Sequence, residues 1–313
     1  MLINGQWEKD FDPVQGTDDE GGFVRVESSF RNWITPDGED GFKAEKDRYH
    51  LYVAYICPWA SRTLMARAIK GLEDVISFSV VDPRLTDKVW RFGNFDGALE
   101  GSTADHLYGF EYVYEAYLKA DPKFTGEVTV PVLWDKQKET IVNNESSEII
   151  RMLNSGFGDL ADNTVDLYPE ALREEIDAVN ERLYNPFNNG VYRCGFSTTQ
   201  VAYDRAVKEV FDSLDYIDQR LSDAPYLAGE QFTEADVRAF VTLVRFDMAY
   251  YGLFKTNLRQ VKDYPRIRDY VRRIHAMPGI AETVRADHIK QGYYSLKQLN
   301  PVGIVPAGPD ELW

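Results

Sequence analysis

One stretch of the sequence limits the possible folds more than any other. Residues Tyr49–Ile56 are aromatic and β-branched, as is typical of a strand, and Val75–Val81 repeats that composition. Between these two runs, Trp59–Lys70 has helical composition, and Gly71 follows at the place where a helix would end. The order predicts a β-α-β unit.

Two further strands extend this unit. Val128–Trp134 and Thr140–Asn143 have strand composition, and helices are predicted over Leu107–Ala120 and Glu145–Leu153. The resulting order, β-α-β, helix, β-β-α, is thioredoxin-like. Pro131 interrupts a strand pattern, which a cis Val130–Pro131 peptide would explain. The alternative is an ordinary edge-strand proline. A cis bond would leave the Val130 backbone free to pair with an extended ligand.

Strand patterns stop at about Pro169, and helical patterns fill the rest of the chain. They cover 170–184, 200–222, 234–250, 263–275 and 278–290. Thr233 and Asp236 have the spacing of a capping box at a helix start. The sequence therefore predicts an α/β domain followed by an all-α domain. The predicted boundaries are an extended arm over 1–47, a thioredoxin-like domain over 48–157 with an insertion near 82–103, a helical domain over 165–290 and a tail over 291–313.

Cys57 has the strongest chemical signal in the sequence. It lies between a predicted strand and a predicted helix, where unpaired backbone amides and the helix dipole stabilise a thiolate. Pro58 suits the first helical position because its missing N–H is not needed there. The residue three positions after Cys57 is Ala60, so a second thiol molecule has to resolve any mixed disulfide. The alternative is a small buried cysteine without chemistry.

Charge and composition exclude several kinds of partner. The net charge of -16 repels nucleic-acid phosphates, and no apolar run has the length of a membrane helix. A chain with two cysteines in unlike contexts and no secretory signal is expected in a reducing cytoplasm. The acidity fits either an ordinary cytosolic protein or one from a halophile. The four histidines lack metal-ligand spacing, so no metal is expected.

Two other positions have a local interpretation. Glu145 and Ser146 open a predicted helix, where amides favour an anion and the side chains can hold an ammonium and a carboxylate. Simple helix capping explains the same residues. Cys194 has no helix-start context, which indicates a structural role.

Several motifs together resemble the glutathionyl-hydroquinone reductases, the Xi class of glutathione transferases. The motifs run in one order along nearly the whole chain. They are residues 57–60 (CPWA), 128–135 (VTVPVLWD), 144–146 (NES), 188–192 (NNGVY), 243–247 (LVRFD), 277–284 (MPGIAETV) and 300–301 (NP).

The resemblance implies a glutathione-transferase fold, a homodimer and a set of site residues. Cys57 would be the nucleophile. Trp90, Val130, Glu145 and Ser146 would hold the thiol cosubstrate. Tyr192, Tyr250 and Tyr293 would face an aromatic substrate. The reaction implied is removal of a thiol from an S-conjugated hydroquinone through a mixed disulfide on Cys57.

Glu127 departs from the family pattern. Relatives carry an arginine just before the Val-Thr-Val-Pro run, where it would pair with a carboxylate of glutathione, and a glutamate there would repel that group. We therefore expect γ-glutamylcysteine in place of glutathione, which is also the thiol expected of halophilic archaea. Two other functions stay open. One is a general Omega-like thioltransferase or dehydroascorbate reductase, and the other is a binding module without enzymatic activity.

Overall fold

The computed structural model describes residues 1–8 and 16–313. The chain forms two compact units. The first contains the described residues within Met1–Pro13, Val26–Asp166 and Asp287–Ser295, and the second those within Val14–Arg25, Leu167–Ala286 and Leu296–Trp313. In the described ranges, no helix is both long and apolar enough to cross a membrane.

The strands are short outside one central sheet. They are β1 (Leu2–Ile3), β2 (Gln6–Trp7), β3 (Gly16–Thr17), β4 (Phe23–Val24), β5 (Ile34–Thr35), β6 (Phe42–Lys43), β7 (Tyr49–Val53), β8 (Ile76–Val80), β9 (Val132–Asp135) and β10 (Thr140–Asn143). The first six form two-stranded ribbons: β1 with β2, β3 with β4, and β5 with β6. The segment that was predicted to be an extended arm therefore contains short paired strands.

The central sheet belongs to the first unit and has the strand order β10-β9-β7-β8. β7 pairs with β8 in parallel, with Leu51 opposite Phe78, and with β9 in antiparallel orientation, with Leu51 opposite Leu133. Every residue of β7 is buried, as expected for a strand covered on both faces.

Most helices match the predicted pattern, but the helix at Gly190–Gly195 was not predicted, and the helix predicted over 278–290 begins only at Ala286. The helices are α1 (Pro58–Ile69), α2 (Tyr114–Ala120), α3 (Ser146–Arg151), α4 (Arg173–Leu183), α5 (Gly190–Gly195), α6 (Gln200–Asp223), α7 (Glu234–Arg245), α8 (Tyr251–Leu253), α9 (Pro265–His275) and α10 (Ala286–Tyr293). Helix α1 connects the two parallel strands β7 and β8, so the predicted β-α-β unit is confirmed.

The predicted helix over Leu107–Ala120 is too long, because α2 begins only at Tyr114. The preceding residues turn around the Asp105 carboxylate, which accepts hydrogen bonds from the N–H groups of Leu107, Tyr108 and Phe110. An aspartate that bonds nearby backbone amides stabilises a turn in place of a helix.

The predicted third strand also begins late, at Val132 instead of Val128. The peptide bond between Val130 and Pro131 is cis, which is the first of the two explanations that the sequence left open for Pro131. Pro131 has no N–H to give to a strand ladder, which is consistent with a strand that starts only after it.

The second unit is mainly helical and also contains the β3–β4 ribbon; its longest helix is α6, at 24 residues. The predicted capping box at the start of α7 is confirmed: the Asp236 carboxylate accepts a hydrogen bond from the Thr233 N–H at 2.8 Å. After α7 the helix continues through a wider turn over Phe246–Tyr250.

Candidate active site

Cys57 lies at the N-cap of α1, with Pro58 as the first helical residue. Its sulfur is not part of a disulfide, and the residue is 8% exposed. Its backbone bonds fix the turn: the Cys57 N–H donates to the Ala54 carbonyl, and its own carbonyl accepts from the Ser61 N–H. The sulfur is therefore held at the position where strand β7 leads into the helix, as the sequence predicts.

Val130 is brought next to this sulfur by the fold. The Cys57 thiol donates to the Val130 carbonyl oxygen at 3.4 Å across 73 residues of sequence. Within the described residues, no acceptor is found for the Val130 N–H. A buried donor without a partner, beside a nucleophile, is suited to pair with the backbone of a peptide-like ligand.

Glu145 and Ser146 form the start of α3. The Glu145 carboxylate accepts from the Ser147 N–H at 3.0 Å, from the Ser147 hydroxyl at 2.8 Å and from the Ser28 hydroxyl at 3.1 Å. Burial acts to raise the pKa of Glu145. The hydrogen bonds and the positive charge of Arg62 outweigh it and hold that pKa below its ordinary value. Glu145 is thus both a helix cap and a partly buried anion.

The sequence interpretation missed Arg62, which is 1% exposed in α1. Its Nη1 atom donates to Ser146 Oγ at 3.4 Å, and its guanidinium carbon lies 4.4 Å from the centre of the Trp59 ring. The available signal was a charged residue within the mostly buried run from Ala60 to Ala66 of the helix that Cys57 opens. Such a residue is seldom buried without a partner.

Trp90 and Glu127 also belong to the first unit and are both half-buried. The Trp90 carbonyl accepts from the Val113 N–H at 3.0 Å. The neighbour of Glu127, Gly126, forms a bridge with Leu2. Burial lowers the pKa of the Met1 ammonium, while the Glu127 charge acts in the opposite direction on that group. The Glu127 carboxylate therefore lies near the first strand.

Helix α10 carries Tyr293 and packs on the loop that precedes Cys57. The Tyr55 ring meets the His288 ring edge-to-face at 5.2 Å, and His288 Nε2 lies 2.8 Å from the Glu100 carbonyl oxygen. A Cβ added to Gly292 would lie 2.5 Å from Ile56 Cδ1 and 2.8 Å from the Pro83 carbonyl oxygen. Gly292 therefore packs directly on Ile56, and Tyr293 is the next residue along the helix.

Tyr192 and Tyr250 belong to the second unit, where their ring centroids are 6.0 Å apart. Phe254 packs against both rings, and Arg25 lies 5.1 Å over the Tyr192 ring while its Nε donates to Asn189 Oδ1. The structure brings these two predicted substrate residues together. Arg25 was missed because a lone arginine in a loop has no local pattern.

Cys194 lies inside α5 and is 1% exposed. Burial raises the pKa of its thiol to about 12, so Cys194 stays protonated near neutral pH. A buried protonated thiol is a poor nucleophile, which supports the structural role predicted for it.

Comparison with known proteins identifies the family. Residues 56–155 match the N-terminal domain of glutathione S-transferases, and residues 200–273 match the C-terminal domain. The chain is 50% identical to the glutathionyl-hydroquinone reductase YqjG of Escherichia coli over 99% of its length and 95% of the relative. The chain belongs to the Xi-class glutathione transferases.

Solved structures of this class have the same fold. The glutathione-bound structure of Escherichia coli YqjG is 47% identical, with a TM-score of 0.90 over 99% of this chain and 96% of that one. A Xi-class enzyme from Natrialba magadii is 46% identical, with a TM-score of 0.92 over 99% of this chain and 94% of that one.

The predicted glutathione-transferase fold is confirmed. The prediction that the chain is an enzyme of this family is also confirmed. The predicted roles of the individual site residues stay predictions.

Proposed function

We propose that this Xi-class chain is a cysteine-dependent reductase of S-conjugated hydroquinones. The observation that supports it most is Cys57 at a helix start, 3.4 Å from the carbonyl oxygen of Val130, whose N–H makes no hydrogen bond among the described residues. The similarity to a protein named glutathionyl-hydroquinone reductase, over 99% of the chain, supports the aromatic substrate. A binding module would not need this arrangement of a thiol and an open backbone.

The reaction has two steps. The Cys57 thiolate attacks the sulfur of the thioether, an S–S bond forms on Cys57, and the carbon–sulfur bond breaks with its electron pair passing to the ring. The ring carbon takes a proton, and the hydroquinone leaves. A second thiolate then attacks the mixed disulfide, releases a symmetric disulfide and restores Cys57. Overall one free thiol is consumed: its sulfur and the thioether sulfur of the conjugate each lose one electron and form the disulfide, and the ring carbon gains the two electrons.

A mass spectrum of the enzyme exposed to a hydroquinone conjugate tests this sequence directly. We expect one thiol adduct on Cys57 in the wild type. Cys57→Ser should form none and should lose at least about 1,000-fold in turnover, because a hydroxyl is a far weaker nucleophile at neutral pH. Cys194→Ser is the matched control and should keep both adduct and turnover. Faster turnover of a small disulfide than of the thioether would favour the Omega-like alternative.

Tyr192, Tyr250 and Tyr293 are proposed to handle the aromatic ring. A tyrosine hydroxyl can supply the proton that the ring carbon needs or stabilise a keto form. Changing each one to Phe should lower turnover of the conjugate and leave alkylation of Cys57 nearly unchanged. Equal loss in both assays would indicate a folding defect and contradict the assignment.

We further propose that γ-glutamylcysteine replaces glutathione as the thiol cosubstrate. The glycine carboxylate of glutathione would meet the negative charge of Glu127, and a thiol without glycine avoids that repulsion. Pairing with Val130 and recognition at Glu145 and Ser146 stay available to both thiols. The proposed halophilic origin would fit the same thiol. A homodimer and a cytoplasmic location are kept as proposals.

Turnover with each thiol tests this choice at high salt. Wild type should prefer γ-glutamylcysteine, and Glu127→Arg should shift the preference towards glutathione. Glu73→Arg, an exposed site after the far end of α1, makes the same charge change and should shift nothing. A wild type that prefers glutathione, or a Glu127→Arg variant without a shift, contradicts the proposal.

A further inference from the structure

Arg62 is a buried cation beside the two residues that we propose for the head group of the thiol. Its side chain contacts Trp59 on one side and Ser146 on the other, and it is 1% exposed. The same charge acts on Glu145, whose carboxylate is the neighbouring anion. A buried guanidinium is retained only where partners compensate for its lost hydration.

The bond from Arg62 sets the direction of the Ser146 hydroxyl. A guanidinium only donates hydrogen bonds, so Ser146 Oγ accepts from Arg62 and its own proton points elsewhere. In the part of the chain that the structure describes, the Ser146 hydroxyl donates no hydrogen bond. Ser146 is therefore fixed as a donor towards an acceptor that the protein does not supply.

Glu145 has the opposite character. Its carboxylate accepts hydrogen bonds from Ser147 and Ser28 and presents a negative charge one residue before Ser146. The γ-glutamyl head group of a thiol peptide carries one ammonium and one α-carboxylate. The Glu145 carboxylate matches the ammonium. The Ser146 hydroxyl, with the Arg62 cation beside it, matches the α-carboxylate.

We infer that Arg62 is a positioning residue that makes Ser146 select the α-carboxylate of the γ-glutamyl head group. This inference rests on the proposed function, because it needs a γ-glutamyl thiol as cosubstrate. Arg62 acts through Ser146 on binding and takes no part in the chemistry at Cys57.

Two probes separate this role from a general structural one. The first is γ-glutamylcysteine, and the second is 4-aminobutyryl-cysteine, which lacks only the α-carboxylate. Arg62→Met should weaken binding of the first about tenfold, the effect of losing one hydrogen bond assisted by charge. Both probes keep the ammonium that Glu145 would meet, so any effect of the lost charge on Glu145 is common to them, and the first probe should still lose about tenfold relative to the second. In turnover the same variant should raise KM for the thiol and keep kcat within about twofold.

Ser146→Ala should likewise weaken binding of γ-glutamylcysteine relative to 4-aminobutyryl-cysteine. In the double variant, Arg62→Met should cause no further loss of affinity for γ-glutamylcysteine. Arg62→Lys should lose less than Arg62→Met, because it keeps the charge, and it replaces Arg62→Met if that variant does not fold. Equal weakening of both probes, or no weakening of either, overturns the inference.

The proposed function has its own independent outcome. A wild type that forms no mixed disulfide on Cys57 refutes the function, and the inference with it. If the wild type forms the disulfide but Arg62→Met changes the affinity for both probes equally, only the role of Arg62 is refuted.

Discussion

At the scale of single residues, the two cysteines differ by their surroundings. Cys57 begins a helix, whereas Cys194 is enclosed in α5, where burial raises its pKa to about 12. We expect iodoacetamide at about pH 7.5 to modify Cys57 at least about 100-fold faster than Cys194, because only the thiolate reacts. Peptide mapping after short exposure measures both rates. Comparable rates in the folded protein would contradict this difference, and the unfolded chain is the control in which the two rates should converge.

Glu145 makes a second prediction at this scale, about pH. Its pKa lies below its ordinary value of 4.5, so the ionised carboxylate stabilises the fold above that pH, and this stabilisation is lost as the pH falls further. Glu145→Gln should cost about 1–3 kcal/mol of unfolding free energy at pH 7, and the deficit should shrink towards about pH 3.

Thermal melts of both proteins without thiol across this pH range measure the deficit. Glu73→Gln changes an exposed carboxylate and should show no deficit at any pH. A deficit for Glu145→Gln that grows as the pH falls would contradict the prediction.

At the scale of elements, helix α10 depends on a residue without a side chain. Gly292 lies so close to Pro83 that an added Cβ would be 2.8 Å from a backbone oxygen that cannot rotate away. Gly292→Ala should therefore displace the end of α10 and Tyr293 with it, at a cost of about 1–3 kcal/mol.

Turnover of the conjugate should then fall at least about tenfold, while alkylation of Cys57 continues. Gln291→Ala, an exposed neighbour on the same helix, should change neither assay. Full turnover by Gly292→Ala would mean that the position of α10 does not matter for the reaction.

At the scale of the whole molecule, the excess of acid is the dominant property. The chain has 51 acidic and 35 basic side chains, so its parts repel one another. Exposed ion pairs such as Arg259–Asp215 contribute little to offset this. We expect the melting temperature to rise between about 0.05 M and about 1 M KCl, because salt screens the repulsion. The rise should nearly vanish close to the isoelectric point of about 4.8, and a fall in melting temperature at pH 7 would contradict the argument.

The sequence by itself determines the features that act over a few residues. The β-α-β unit, the helix start at Cys57 and the capping box at Thr233 were all predicted, and the structure has them. Each depends on local hydrogen bonds or on a periodic apolar face, which neighbouring residues encode. The helix over 107–113 failed because Asp105, a residue outside the pattern, bonds the amides that a helix would use.

Only the tertiary structure decided which distant residues meet. Cys57 touches Val130 across 73 positions, and Arg62 touches Ser146 across 84. Helix α10 returns from near the end of the chain to pack on Ile56. Such contacts come from the packing of whole elements against one core, so no spacing in the sequence contains them. That is why the sequence could name Val130 but not place it beside Cys57, whereas Arg62 and Gly292 emerged only from the fold.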